Sequence, residues 1–167
     1  MKKGWVDIET AHYNAFSKSN IINELNENSI CIDCGANVGT ITHLFASKGA
    51  IVYSFEPHPI CFEELKNKFN ENPKVHLINK GVLDKNETMR LYKFKFHNSD
   101  ELFFSQGNSI YSSNTEIDKD SFDEIEVIDL TEFIENMDKK IDILKMDVEG
   151  AEFCILNKLI DKKLYKH

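Results

Sequence analysis

The stretch from residue 29 to residue 40 reads Ser-Ile-Cys-Ile-Asp-Cys-Gly-Ala-Asn-Val-Gly-Thr, and it decides the fold. Its apolar run at residues 30–32 suits a buried strand, and glycines at 35 and 39 then interrupt the run. From residue 38 onward the apolar side chains are spaced as on one helix face, at Ile41, Leu44 and Phe45. The stretch therefore predicts a strand, a tight glycine turn and a helix.

A joint of this kind has the chemistry of a cofactor site. Gly35 lets the backbone turn sharply and lets a ligand approach where a Cβ would clash. The following helix start presents unpaired N–H groups and the positive end of the helix dipole, which favour a carboxylate or phosphate. Asp33, at the strand end, can accept hydrogen bonds from hydroxyls or an amine. A strand-turn-helix joint without a ligand has the same pattern, so that alternative stays open at this point.

A second acidic residue, Glu56, follows the strand-like run at residues 51–55. It stands about twenty residues past the glycine turn, where nucleotide-binding sheets hold a ribose diol. The dinucleotide pattern Gly-x-Gly-x-x-Gly is not met, because Asn37 and Thr40 stand where its second and third glycines belong. The pattern Asp-x-Gly-x-x-x-Gly is met, by Asp33, Gly35 and Gly39, and it resembles the glycine loop of class I methyltransferases that use S-adenosylmethionine (SAM).

Strand and helix patterns alternate along the chain. Predicted strands at 30–32, 50–55 and 75–78 are separated by helical patterns, which indicates a parallel, doubly wound α/β sheet. A fourth buried strand at 141–146 gives the expected order 3-2-1-4. Residues 88–96 and 125–127 alternate as a hairpin, and the polar segment 98–123 between them is either a substrate lid or a disordered insertion.

The predicted organisation is one domain over residues 1–167. Its parts are a helical lead-in, a cofactor-binding core, an inserted hairpin and loop, and the fourth strand with its helix, at 1–28, 29–80, 81–129 and 141–160.

Charge and hydropathy narrow the possible partners. The formal net charge of −8 disfavours a nucleic-acid partner, which needs clustered Lys and Arg. No signal peptide and no run of transmembrane length are visible, so a cytoplasmic protein is expected. Cys31 and Cys34 form a Cys-x-x-Cys, which we interpret as two small buried residues because no second pair completes a zinc site.

The fourth strand delivers three carboxylates to the carboxyl edge of the sheet, where open α/β sheets bind ligands. They lie in the run Asp147-Val148-Glu149-Gly150-Ala151-Glu152. Clustered carboxylates suit Mg²⁺. No further ligand set is visible, so no metal site is predicted. Glu149 and Glu152 have a structural alternative, as charges that stabilise a helix N-terminus.

Three segments together resemble the FkbM family of SAM-dependent methyltransferases, over about residues 28–160. They are Asp-Cys-Gly-Ala-Asn-Val-Gly-Thr at 33–40, Phe-Glu-Pro-His-Pro at 55–59 and Ile-Leu-Lys-Met-Asp-Val-Glu-Gly-Ala-Glu at 143–152. The resemblance implies a class I, Rossmann-like core that binds SAM and methylates a hydroxyl of a sugar, lipid or natural product. It implies these cofactor-binding residues: Asp33, Cys34, Gly35, Ala36, Asn37, Gly39, Thr40, Glu56, Pro57, Gly81 and Val82.

The resemblance also assigns the chemistry to the end of the fourth strand. Asp147 stands where class I methyltransferases face the sulfonium and the acceptor, and it is the first candidate for a base or acceptor-orienting group. Glu149 is the second candidate. The family's sheet has seven strands, whereas this sequence stops after the fourth, so we expect a fragment, an inactive protein, or a homo-oligomer or partner chain that covers the open edge.

Two other functions remain possible from the sequence. A non-catalytic binding domain derived from a methyltransferase would fold but bind SAM weakly or not at all. A nicotinamide-dependent oxidoreductase is disfavoured by the incomplete glycine fingerprint and by the lack of a convincing Tyr-x-x-x-Lys pair.

Overall fold

The computed structural model describes residues 8–96, 98, 100–148 and 150–164. The strands in that part of the chain are β1 (Ile30–Cys34), β2 (Ile51–Phe55), β3 (Val75–Ile78), β4 (Gly81–Leu83), β5 (Glu87–Phe94), β6 (Ile117–Asp129) and β7 (Ile143–Met146). The helices are α1 (Ile8–Ser17), α2 (Asn20–Glu24), α3 (Thr40–Ser47), α4 (Pro59–Phe69), α5 (Glu101–Phe104), α6 (Leu130–Met137) and α7 (Glu152–Asp161). A 3-10 turn at Ser105–Gly107 directly follows α5.

The main sheet has four parallel strands in the order β3-β2-β1-β7. This confirms the predicted doubly wound α/β fold and the predicted order 3-2-1-4. In the centre of the sheet, Ile32 of β1 is opposite Tyr53 of β2 on one side and Leu144 of β7 on the other. Parallel pairing brings the carboxyl ends of β1, β2 and β7 to one edge.

A second sheet has the order β4-β6-β5. The antiparallel pairing of β5 with β6 confirms the predicted hairpin, and β6 also pairs in parallel with β4. A register shift between Tyr92 and Lys93 breaks the alternation of β5. Leu91 and Phe94, three residues apart, are therefore both buried. Strand β4 was not predicted, because three residues are too few to show a period.

Two apolar clusters cover the two faces of the main sheet. On one face, Cys31 and Val52 pack with the buried sides of α2, α3 and α4. On the other face, Ile32 and Phe55 pack with the second sheet, α6 and α7. Neighbouring residues along β1 thus serve opposite clusters, as the period of two in a strand requires.

The polar segment at 98–123 is more ordered than the sequence suggested. It contains α5, the 3-10 turn and the beginning of β6. The carboxylate of Asp100 caps α5 by accepting from the Phe103 backbone N–H at 3.1 Å. The rings of Phe94 and Phe104 stack with their centroids 5.5 Å apart. A disordered insertion is therefore wrong for the described part of this segment, and local capping with aromatic packing explains why no period was visible.

The starts of α3 and β7 also differ from the predictions, each by two residues, since β7 begins at Ile143 rather than at residue 141. Helix α3 begins at Thr40 rather than at residue 38, because Asn37 and Gly39 have φ angles of 49° and 88°. Helices α1 and α2 lie within the predicted helical lead-in at 1–28. Strand β7 is a terminal strand of the main sheet, and in the described part of the chain it pairs with β1. None of the described helices is both long and apolar enough to cross a membrane.

Candidate functional site

A cavity of about 310 Å³ opens at the carboxyl ends of β1, β2 and β7. Small-molecule sites have volumes of roughly 300–1,000 Å³, so its size suits a ligand. The predicted site residues that line it are Gly35, Ala36, Asn37, Glu56, Pro57, Gly81, Val82 and Asp147. The structure thus brings together residues from three separate sequence motifs.

The glycine turn touches the end of β7 through its backbone. A Cβ placed on Gly35 would lie 2.0 Å from the carbonyl oxygen of Asp147, and the φ of Gly35 is +73°. Asp147 in turn donates its backbone N–H to the Cys34 carbonyl at 3.1 Å. Glycine is required here by the approach of the two backbones as well as by the left-handed conformation.

The N–H groups of the glycine turn are already engaged within the protein. Those of Gly35 and Ala36 donate to the Phe55 carbonyl, at 3.0 and 2.9 Å, and that of Gly39 donates to the Ala36 carbonyl at 2.8 Å. The N–H of Asn37 donates to Glu56, and that of Val38 to the Asn37 side chain. Residues 35–39 therefore have no free N–H group for an anion in this conformation, and the prediction for the helix start applies to α3 from Thr40 onward.

Glu56 lies at the end of β2 and is 6% exposed. Its Oε2 accepts from the Asn37 N–H at 2.7 Å, and its Oε1 accepts from the His58 N–H at 2.8 Å. Burial raises the pKa of Glu56 to about 7, although the two hydrogen bonds act in the opposite direction. Each carboxylate oxygen keeps a further lone pair, so the group can still accept from two ligand hydroxyls.

Asp33 lies beneath the glycine turn and is fully buried. Its Oδ2 accepts from the Thr42 hydroxyl at 2.8 Å, and its Oδ1 lies 3.1 Å from the Lys145 ammonium. The same ammonium donates to the carbonyls of Gly35 and Cys34, at 2.7 and 3.3 Å. Asp33 is thus placed to hold Lys145 and the turn rather than to line the cavity.

Asp147 is the exposed carboxylate of the site, with 45% of its side chain accessible. Its Oδ2 lies 4.0 Å from the Lys145 ammonium. The following turn is held by Glu152, which accepts from the N–H groups of Val148 and Gly150 at 2.9 Å each. Glu152 therefore has the structural role that the sequence left open. Glu149, the second catalytic candidate, lies outside the described residues.

Besides Asp33, three predicted cofactor residues lie away from the main cavity. Cys34 is fully buried as a free thiol, and burial raises its pKa, so it is an inert part of the core. Gly39 and Thr40 line a different, shallower groove together with Lys68 and Phe69.

Residues 100–116, here called the strap, cover one side of the cavity. Ser105 of the strap accepts a hydrogen bond from the Asn37 side-chain amide at 3.1 Å. Tyr111 donates its hydroxyl to the Gly150 carbonyl at 3.4 Å, and its ring lies where a Cβ of Gly150 would be. The strap therefore contacts the loops after β1 and after β7, one on each side of the site.

A charged group beside the cavity anchors the start of the strap. His58 Nε2 lies 3.5 Å from Glu101 Oε1 and 3.7 Å from Asp123 Oδ2, a spacing that could hold a metal ion. The Lys93 ammonium already contacts the same oxygens, at 2.5 and 3.4 Å. Lys93 thus supplies a positive charge there, and the group connects the N-terminus of α4 with β5, β6 and α5.

Sequence reasoning missed several of the residues that form the site. Lys145 had a visible signal, since a charged residue interrupts the apolar strand Ile143–Met146. Ser105, Gln106 and Asn108 line the cavity from the strap, where the sequence shows no period that could have placed them.

Comparison with known proteins identifies the class. A sequence model described as the methyltransferase FkbM domain matches residues 33–166, so the chain belongs to the FkbM methyltransferase domain family. A solved structure of a candidate methyltransferase from an antibiotic biosynthesis pathway of Anabaena variabilis ATCC 29413 is 23% identical, with a TM-score of 0.33. That alignment covers 46% of this chain and 30% of the other. The comparison with curated proteins gave no match.

Proposed function

We propose that the protein is a SAM-dependent methyltransferase that methylates a hydroxyl group of a small molecule, such as a sugar, lipid or natural product. The observation that carries the proposal is that Glu56 and Asp147 border one cavity at the carboxyl edge of the sheet. Glu56 suits a ribose diol, and Asp147 suits an acceptor hydroxyl. Membership of the FkbM family supports a methyl donor as the cofactor.

The donor set of the cavity fits SAM. The carboxylate of Glu56 would hold the ribose hydroxyls through the lone pairs that its backbone contacts leave free. Pro57, Gly81 and Val82 would border the adenine, next to the apolar side chains of Ile125 and Val127. Gly35 and Asn37 would border the amino-acid end. SAM supplies a methyl group already activated by a sulfonium.

The protein's task is then to position the acceptor and handle its proton. Asp147 is exposed to the cavity and ends a strand whose backbone is held against the glycine turn. In this proposal its carboxylate accepts the hydrogen bond of the acceptor hydroxyl and orients the oxygen. A positioned base of this kind contributes about 10²–10⁴-fold to a proton transfer, and correct alignment adds several kcal/mol.

Thermal unfolding with added ligands tests the cofactor. The purified protein is titrated with SAM, with its demethylated product S-adenosylhomocysteine and with NADH. A ligand that binds the native state adds about 2.7 kcal/mol at one hundred times its dissociation constant. We expect a clear shift with both SAM compounds and none with NADH, and a much smaller shift in the variant Glu56→Ala.

Each other outcome has a defined meaning. A shift with NADH alone would contradict the proposal and favour an oxidoreductase. A cooperative melt with no shift for any ligand would favour a non-catalytic domain. If SAM binds, incubation with hydroxyl acceptors and their amine analogues, read by mass spectrometry, tests O-methylation. Methylation of the amine alone would refute the hydroxyl specificity.

A further inference from the structure

The strap carries a buried amide with an unused donor. Asn108 lines the cavity and is 5% exposed. Its Oδ1 accepts from the Phe94 backbone N–H at 2.9 Å, which fixes the orientation of the amide. Its Nδ2 has no hydrogen-bond partner among the described residues. Because an unpaired buried amide is unfavourable, a ligand atom is the natural partner for this nitrogen.

The position of Asn108 along the strap indicates which end of the cavity it serves. It lies three residues after Ser105, which is bonded to Asn37 in the glycine turn, and three before Tyr111, which is bonded to Gly150. Along the strap, Asn108 therefore lies between the contact to the loop after β1 and the contact to the loop after β7. Gly81, which would border the adenine, lies on β4 and not on the strap.

The protein otherwise offers few donors at this end. The N–H groups of residues 35–39 are all engaged internally. The Lys145 ammonium already contacts Asp33 and two carbonyls. The Asn37 amide uses its nitrogen for Ser105 and its oxygen for Val38. A carboxylate bound here therefore needs a donor outside residues 35–39, and the Asn108 amide, whose Nδ2 is unused, lines the same cavity.

We propose that Asn108 binds the carboxylate of the amino-acid part of SAM through Nδ2. The inference rests on the proposed function, since it takes SAM as the ligand. It adds a binding residue from the strap and makes the strap part of cofactor recognition. Ser105 and Tyr111 then hold the strap in the position from which Asn108 reaches the ligand.

Two ligands that differ only in the carboxylate provide the test. Isothermal titration calorimetry compares SAM with decarboxylated SAM, on the wild type and on the variants Asn108→Ala and Asn108→Asp. The aspartate variant keeps the acceptor for the Phe94 N–H and replaces the donor by an anion. The matched control is Asn114→Asp, because Asn114 also accepts from a backbone N–H of the strap, that of Glu116 at 2.9 Å, and does not line the cavity.

A hydrogen bond to a charged group sets the expected size of the effect. Asn108→Ala should lower the affinity for SAM by about 10- to 100-fold and the affinity for decarboxylated SAM very little. Asn108→Asp should lower the affinity for SAM further, whereas Asn114→Asp should bind both ligands as the wild type does. Equal weakening of both ligands in Asn108→Ala, or of neither, would overturn the inference while leaving the proposed function intact. A wild type that binds neither ligand would overturn both.

Discussion

The ammonium nitrogen of Lys145 lies 3.1 Å from Oδ1 of Asp33, and both side chains are buried beneath the glycine turn. Burial disfavours the ammonium, but the attraction of Asp33 and Asp147 outweighs burial and raises the pKa of Lys145 above its usual value. Because the ammonium also binds the carbonyls of Cys34 and Gly35, a single permanent charge joins β7 to the turn after β1.

Removing this charge should strongly destabilise the protein. Lys145→Met keeps the length of the side chain but leaves the buried Asp33 carboxylate without its cation. Breaking a buried ion pair from one side costs about 3–5 kcal/mol, and we expect a loss of that size in the free energy of unfolding measured with urea. The double variant Asp33→Asn/Lys145→Met should recover part of it.

An exposed ion pair supplies the control for that measurement. Lys162 and Glu135 form a pair in which both side chains are about two-fifths accessible, at 41% and 38%. Lys162→Met should change the free energy of unfolding by less than about 1 kcal/mol. Equal losses of unfolding free energy in Lys145→Met and Lys162→Met would show that the buried pair stabilises the protein no more than the exposed one.

The raised pKa of Glu56 predicts a pH-dependent stability. The folded protein holds this proton up to about pH 7, whereas the pKa of an unperturbed Glu is 4.5. Between these values the folded state binds more protons than the unfolded state, so stability falls as the pH rises. The contribution of Glu56 should decline by about 3 kcal/mol over this range. Glu56→Gln should lack this decline, and parallel pH profiles for the two proteins would contradict the prediction.

SAM binding should release the same proton. A ribose diol that donates to Glu56 favours the ionised carboxylate, so binding near pH 7 shifts the group towards its charged form. Calorimetric titrations in phosphate and in Tris, whose ionisation enthalpies differ, should therefore give different apparent binding enthalpies. Glu56→Gln should remove the difference between buffers. A wild-type enthalpy independent of buffer would count against Glu56 as the ribose ligand.

Alanine variants of Gly35 and Gly49 distinguish the stability lost through a left-handed backbone conformation from the stability lost through a clash with another backbone. Both have positive φ, at +73° and +83°, but a Cβ on Gly49 would meet its nearest atom at an ordinary 3.6 Å. Gly49→Ala should therefore cost only the left-handed conformation, about 1–2 kcal/mol. Gly35→Ala should cost about 1–3 kcal/mol more, because its Cβ collides with the Asp147 carbonyl. Denaturation curves of the two variants test this order, and similar losses would be evidence against the contact.

Asp147 should matter for turnover and little for SAM affinity. Once an acceptor is known, Asp147→Ala should lower kcat by about 10²–10⁴-fold, while calorimetry shows SAM still bound. Asp147→Asn can orient a hydroxyl but takes no proton, so partial activity in this variant would assign an orienting role. Full turnover in Asp147→Ala would remove the residue from the mechanism.

The sequence predicted those parts of the molecule that depend on short-range patterns. Apolar runs located β1, β2 and β3, and β3 has the predicted bounds of 75–78. The hairpin of β5 and β6 followed from alternation. The strap was not predictable, since α5 is held by a cap and by aromatic packing rather than by a periodic face. Asp33 illustrates a limit within the site: the sequence located it near the end of β1, but its burial under Lys145 depends on a contact from distant β7.

The contact between Gly35 and Asp147 constrains the two positions in different ways. At residue 35 the neighbour is a backbone carbonyl, which exists whatever side chain follows β7. A related protein without methyl transfer that kept this packing would still need glycine at position 35, whereas its residue 147 could be substituted. Among related chains, glycine at position 35 therefore indicates the shared architecture, and under the proposed function a carboxylate at position 147 indicates that the chemistry is retained.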